Sequence, residues 1–350
     1  MLDRLSCLPD SLITDQILSR LDKTKFSIRT GTLSKRWEHL WKSVPCLFLD
    51  DFAFYTSPIH GFDVFEVCDK PFLSFYVAID KTLNQYELGN INKFELDANF
   101  DNRFVSYINS WIEFVVSKNV KEFKMYLRYV EDEDQFSIAV QSFYLNSHFT
   151  NIELGFCLLH PTVSIRWNNL RHLTIENSEL DENLIANIMF GSPLLNSLTL
   201  RSCIGELLDI SCTSVKKLVL DGYIVEDDRS YLTINAPFIS SLKIIGSLWI
   251  SKILLQDVSC ILEAELGYVL PRFFPMARKH DEEELLKMLL IKLQHVKHVR
   301  IGVSCYAALS RLEVKGFVLP SNLIGVDVSS PNYIDNELSD NELVEHVDFH

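Results

Sequence analysis

Ile91, Phe94 and Leu96 set out a spacing, apolar-x-x-apolar-x-apolar, that the chain then repeats. It returns at Val120/Phe123/Met125, Phe149/Ile152/Leu154, Leu170/Leu173/Ile175, Leu195/Leu198/Leu200, Val215/Leu218/Leu220 and Ile239/Leu242/Ile244. Weaker copies stand at Val296/Val299/Ile301, Leu309/Leu312/Val314 and Leu323/Val326/Val328. The steps between clear copies cluster in the twenties of residues, a period that marks stacked repeats. Apolar positions two apart predict a short strand with alternate side chains pointing inward. A large aliphatic side chain gains roughly 1.5–3 kcal/mol on burial, but only neighbouring coils can exclude the water, so no unit is stable alone.

Between the strands the pattern changes to helical spacing. Asp181 and Glu182 precede Leu184, Ile185, Ile188 and Met189, and Gly191 with Pro193 stops the run. Phe104, Ile108, Trp111, Ile112 and Val115 form one such face, and Phe136, Val140, Phe143 and Tyr144 another. The acids from Asp281 to Glu284 lead Leu285, Leu286, Leu289, Leu290 and Leu293 into a further helix. The expected fold class is α/β: a leucine-rich-repeat solenoid of parallel strands with helix or loop returns, preceded by a short helical module.

That module has its own pattern. After Leu8-Pro9-Asp10, the stripe Ile13, Ile17, Leu21, with Leu12 and Leu18 beside it, predicts an amphipathic helix. Pro9 suits a first helical turn, where its missing N–H is not needed, and Asp10 is an acid near the positive end of the helix dipole. Past Asp22-Lys23-Thr24-Lys25, a second set runs from Phe26 and Ile28 through Leu33, Trp37, Leu40 and Trp41. So short a segment cannot bury two tryptophans alone, so it must lie against the rest of the chain as a solenoid cap or against another protein.

The runs Asp3 to Ile13, Gln16 to Leu21 and Leu33 to Trp37, followed by Leu40-Trp41 and Val44-Pro45, resemble the F-box of the large plant F-box leucine-rich-repeat family. Ala236-Pro237 before Ile239-Ser240-Ser241-Leu242, and Gly191-Ser192-Pro193-Leu194-Leu195, are similar to phrases of its repeats. The resemblance implies an F-box over 3–49, a linker with a helix leading into the solenoid over 50–90, repeats over 91–330 and an acidic tail over 331–350. It further implies docking on a Skp-type adaptor, and through it on cullin and RING subunits, with ubiquitin transfer performed by those partners. Leu8, Pro9, Ile17, Leu18, Leu33, Trp37 and Trp41 are the matching positions carried over as adaptor contacts; several of them could instead pack within the module. The segment between Ile13 and Leu33 departs from the family pattern by about two extra residues, Asp15 among them, and each extra residue turns a helical face by about 100°.

Composition narrows the rest. A formal charge of -14 opposes an extended phosphate-binding surface, so no nucleic acid partner is expected. No apolar run is long enough to span a membrane and there is no Asn-x-Ser/Thr sequon, so a cytoplasmic or nuclear address is expected. The 8 cysteines include no CxxC and read as reduced thiols. His295-x-x-His298 lacks a third ligand at metal spacing, and no phosphate loop, nucleophile elbow or cofactor motif appears. The chain therefore reads as a non-catalytic adaptor without a cofactor, selecting an unknown protein target. Selection is expected on the strand face, at His172, Thr174, Glu176, Ser197, Thr199, Arg201, Lys217, Asp221, Ser241 and Lys243, which stand between the inward apolar positions. A second candidate is the aromatic and basic stretch Arg272-Phe273-Phe274-Pro275 with Arg278 and Lys279.

Overall fold

The computed structural model describes residues 7–51, 69–129, 135–205, 208–225, 231–250, 252–270 and 279–319. Ten parallel strands form one sheet in the order β1 (Cys46–Asp50), β2 (Lys93–Phe100), β3 (Glu122–Tyr129), β5 (Asn151–Gly155), β7 (His172–Glu176), β8 (Ser197–Ile204), β10 (Lys217–Ile224), β12 (Ser241–Trp249), β14 (Glu263–Val269) and β15 (His298–Ile301). Each strand adds to the one before it, so chain order and spatial order coincide, as stacked coils require. The register aligns the apolar pairs: Leu47, Phe94, Phe123, Ile152, Leu173, Leu198, Leu218, Leu242, Ala264 and Val299 make one inward row. All of these are buried in one continuous core.

Two coils escaped the sequence pattern. Val44/Leu47/Leu49 has the repeat spacing but sits among residues read as the N-terminal module, and its strand β1 is the first of the sheet. Ile261/Ala264/Leu266 fills the gap before Val296; the small Ala264 hides the signal, yet it is only 4 % exposed. In the other direction, Leu309/Leu312/Val314 is not a strand. It lies in the helix Val303–Val314, where Cys305, Ala308, Leu309 and Leu312 bury a face at helical spacing. The copy at Leu323 and the tail lie outside the described residues, as does the stretch from Arg272 to Arg278.

The return segments differ along the array. Helices Asp69–Asn84, Val105–Ser117 and Glu182–Gly191 close earlier coils, with Asp181 capping the last of these by accepting from Asn183 N–H. Phe136 belongs to a strand, β4 (Phe136–Ile138), paired with β6 (Cys157–Leu159), and only Gln141–Tyr144 is helical there. Aromatics fill this part of the core: Tyr76 stacks on Phe104 and Trp111, with ring centroids 4.3 and 5.2 Å apart. Later coils return instead through a second parallel sheet of β9 (Leu208–Ser211), β11 (Tyr231–Asn235) and β13 (Lys252–Leu255), before helices Lys279–Lys292 and Val303–Val314 resume. One residue past the aligned row Gly155, Glu176, Arg201, Asp221 and Ile245 the backbone is left-handed: Phe156, Asn177, Ser202, Gly222 and Gly246 have φ of 58°, 48°, 46°, 78° and 74°. A side chain on Gly246 would start 2.6 Å from the Gly222 nitrogen, so this corner demands glycine.

Candidate functional site

In the N-terminal module, Pro9 is the helix N-cap, with extended ψ, and not a first-turn residue; helix α1 (Asp10–Leu12) begins after it. Arg36 braces that start: its Nε and Nη2 reach Asp10 Oδ1 at 2.8 and 2.5 Å, and Nη2 also donates to the Leu8 carbonyl. The residues beyond adopt a π-helix over Ile13–Ile17, with the Leu18 N–H donating back to the Ile13 carbonyl. A π turn absorbs one extra residue. Ile13 and Leu18, five apart, therefore both face inward, at 0 % and 1 % exposure, while Ile17 is displaced to a half-buried position.

This geometry divides the seven expected adaptor contacts. Leu18, Trp37 and Trp41 are buried by the chain itself, Leu18 and Trp37 in one cluster with Ile13 and Val44. Leu18 and Trp37 are thus part of the module's own core, and Trp41 is buried outside that cluster. Pro9 and Leu33 are exposed, Leu33 at 65 %, and Leu8 and Ile17 are partly buried against the cluster. Leu12, Phe26 and Ile28, which sequence reasoning did not select, are also exposed apolar side chains. Phe26 has the Lys25 and Arg29 cations over its ring at 5.6 and 5.9 Å.

The module is fixed to the first coil. Lys23 and Lys25 both approach Asp50 at the end of β1, at 3.0 and 3.9 Å. The buried Thr24 hydroxyl accepts from Phe48 N–H at 2.8 Å, the Tyr86 hydroxyl donates to the Val44 carbonyl, and Lys42 pairs with Glu87 at 3.4 Å. Burial raises the Tyr86 pKa, which keeps that phenol a donor.

On the strand face, the ten expected target contacts fall into aligned rows. Glu176, Arg201 and Asp221 share one row, and Arg201 lies between the acids at 3.6 and 3.7 Å. Burial pushes the Asp221 carboxyl above its usual range against the pull of Arg201 and Lys243. Lys243 pairs with Glu265 at 3.0 Å. Tyr126, absent from the expected set, extends this network: its hydroxyl lies 3.0 Å from Glu153 Oε1 and from Glu176 Oε2, two strands away. A side chain on Gly155, the intervening residue, would start 2.4 Å from the Tyr126 ring, so glycine opens the path. The phenol has one proton and donates to one carboxylate at a time, and burial with the two acids raises its pKa. The charged members of the expected set, Lys217 excepted, are thus held in ion pairs: Glu176 and Asp221 by Arg201, and Lys243 by Glu265. His172, Thr174, Ser197, Thr199, Lys217 and Ser241 have no side-chain partner among the described residues.

His295 and His298 do not converge on a metal: His295 Nε2 contacts the Val258 carbonyl at 3.0 Å, and no group of three or more His, Cys, Asp or Glu forms a metal site among the described residues. Glu282 and Glu283, from the acidic run read as a helix start, pair with Arg311 and Lys315. No described helix is long and apolar enough to cross a membrane.

A parallel-strand solenoid with a helical module fixed to its first coil defines a leucine-rich-repeat protein with an N-terminal helical module. Residues 83–317 match the family model described as At1g61320/AtMIF1, LRR domain. Among curated relatives from Arabidopsis thaliana, F-box protein At5g03100 is 28% identical over 91% of this chain and 94% of its own length. Putative F-box protein At1g49610 is 30% identical over 91% of this chain and 74% of its own. Putative F-box/LRR-repeat protein At5g02700 is 29% identical over 91% of this chain, which spans only 64% of that longer relative. No solved structure matches. The chain belongs to the plant F-box/LRR-repeat family.

Proposed function

We propose that this chain is the substrate-recognition subunit of an SCF-type cullin-RING ubiquitin ligase. The N-terminal module docks on a Skp-type adaptor, the solenoid binds a protein target, and partner subunits transfer ubiquitin, so the chain contributes proximity and not chemistry. The observation that carries the reading is the module itself: it retains the F-box sequence pattern, and the π turn takes up one of its about two extra residues while keeping Ile13 and Leu18 buried together. Leu12 on its short helix and Pro9 and Leu33 at helix ends remain as exposed apolar anchors, the kind of surface on which binding energy concentrates. Leu8 and Ile17 contribute their exposed edges. In this role the chain works in the cytoplasm or nucleus, where that machinery resides.

The test is assembly: the full chain mixed with adaptor, cullin and RING subunits and resolved by size-exclusion chromatography. Co-elution of all four supports the reading. A folded chain that elutes alone points to a repeat scaffold unconnected with a ligase, and one that elutes with adaptor but without cullin points to a scaffold that sequesters the adaptor.

A further inference from the structure

The backbone ladder at the edge where the chain enters the sheet aligns Thr150, Arg171, Asn196, Lys216, Ser240 and Leu262 in one row, each residue's N–H donating to the carbonyl of the row member one coil earlier. The adjoining row is Asn151, His172, Ser197, Lys217, Ser241, Glu263 and His298. Read across the strands, basic pairs alternate with small polar pairs: Arg171-His172, Asn196-Ser197, Lys216-Lys217, Ser240-Ser241. At β14 the pair is Leu262-Glu263, which interrupts the alternation, and Lys297-His298 brings back a basic pair at β15, three strands from β10, with Arg300 two residues further along in the row of Lys243 and Glu265. Arg171, Lys216, Lys217, Lys297 and Arg300 are all exposed, and none has an ion-pair partner among the described residues. The one acid in these two rows between β7 and β15 is Glu263, which is unpaired too. This edge contrasts with the interior of the same face, where Glu176, Arg201, Asp221 and Lys243 are tied up in pairs. A cleft of about 460 Å³, lined by Lys217, Ser241, Lys243, His298 and Arg300 together with Glu263 and Glu265, opens beside it.

We infer that this edge holds an acidic segment of the target in a polyproline II conformation, with an anionic side chain at every third residue. The inference rests on the substrate-receptor reading and adds the chemistry of the target. Strands are about 4.8 Å apart, so the basic pairs of β7 and β10, two strands apart, recur after about 10 Å. A polyproline II segment rises about 3.1 Å per residue with three residues per turn, so side chains three apart return to one face after about 9 Å. An extended strand would put those side chains on opposite faces. The hydroxyls of Ser197 and Ser241 stand between the cations as neutral donors. The formal charge of -14 conceals this edge because acids elsewhere outnumber it.

The test is fluorescence anisotropy with the full chain and labelled peptides. One is a proline-rich peptide with Glu at every third position, the second has the same composition with Glu at every second position, and the third replaces the Glu of the first with phosphoserine. The period-three peptide is expected to bind at least five-fold more tightly than its rearranged partner. Lys216→Ala with Lys217→Ala should weaken it about ten-fold, and added salt should weaken it steeply. Phosphoserine binding more than ten-fold tighter than Glu identifies the anion as phosphate, and near-equal binding identifies it as carboxylate. Equal affinity for both spacings, no loss in the double variant, or tighter binding of a single-stranded oligonucleotide than of any peptide overturns the inference. Adaptor capture, which uses the other end of the molecule, should be unchanged in the double variant, so it separates failure here from failure of the ligase reading.

Discussion

Ile13, Leu18, Trp37 and Val44 form the buried cluster of the N-terminal module, whereas the repeat core runs without a break from Leu47 to Leu312. The module can lose its packing without the array losing its own, but the array, whose coils share one core, unfolds cooperatively. Small size also explains the module's exposed leucines: too few residues are available to cover them. What fixes the module in place is a set of polar ties to β1 and Tyr86, not a shared apolar core.

The largest contrast should appear in thiol chemistry. Cys7 in the module is exposed, while Cys203 and Cys305 in the array are buried and their pKa values are pushed up to about 12. At pH 8 a thiol of that pKa is about one part in ten thousand thiolate, so these two should label at least a thousand-fold more slowly than Cys7 with a maleimide. Mass spectrometry of the labelled peptides checks it, and fast labelling of Cys203 in folded protein would show that the array opens.

Trp111→Ala should cost the array about 3–5 kcal/mol, since the indole is 2 % exposed and stacked on Tyr76. Its mark is a lower melting temperature with a single transition. Leu18→Ala should cost about 2–3 kcal/mol, confined to the module. Limited proteolysis should then release the N-terminal segment while the array resists, and a global melting shift as large as that of Trp111→Ala would erase the distinction between the regions.

Asp50→Ala removes the carboxylate shared by Lys23 and Lys25. Those lysines are about a third exposed, so the loss should stay near or below about 1 kcal/mol, appearing as faster amide exchange at the junction and not as unfolding. Lys243→Ala, which leaves Glu265 solvated on the open strand face, should change stability by less than about 0.5 kcal/mol in chemical denaturation.

The array was legible in the sequence because burial alternates along strands and recurs by coil, so Phe94/Leu96 and Leu173/Ile175 announce themselves. Ala264 is inward too, but a methyl group is a weak apolar signal, and Leu309/Leu312/Val314 has spacing compatible with either strand or helix. Strand returns such as Tyr231–Asn235 were invisible as a sheet, since each is short and pairs only across coils. In the module, the pattern identified the apolar residues but not which of them face inward. The π turn decides between Ile17 and Leu18, and it depends on hydrogen bonds that no residue type specifies. On the strand face, sequence could select outward positions such as Glu176 and Arg201, yet whether a charge is free or paired depends on its neighbours one coil away.

The most direct test of the account is the affinity of the full chain for a Skp-type adaptor, compared with that of a Pro9→Ala, Leu33→Ala double variant whose melting curve is recorded alongside. The account predicts tight binding by the parent chain and a loss of about 2 kcal/mol or more in the variant, roughly thirty-fold in Kd, with unchanged melting. Equal binding by both proteins, or none by a well-folded parent, would contradict it.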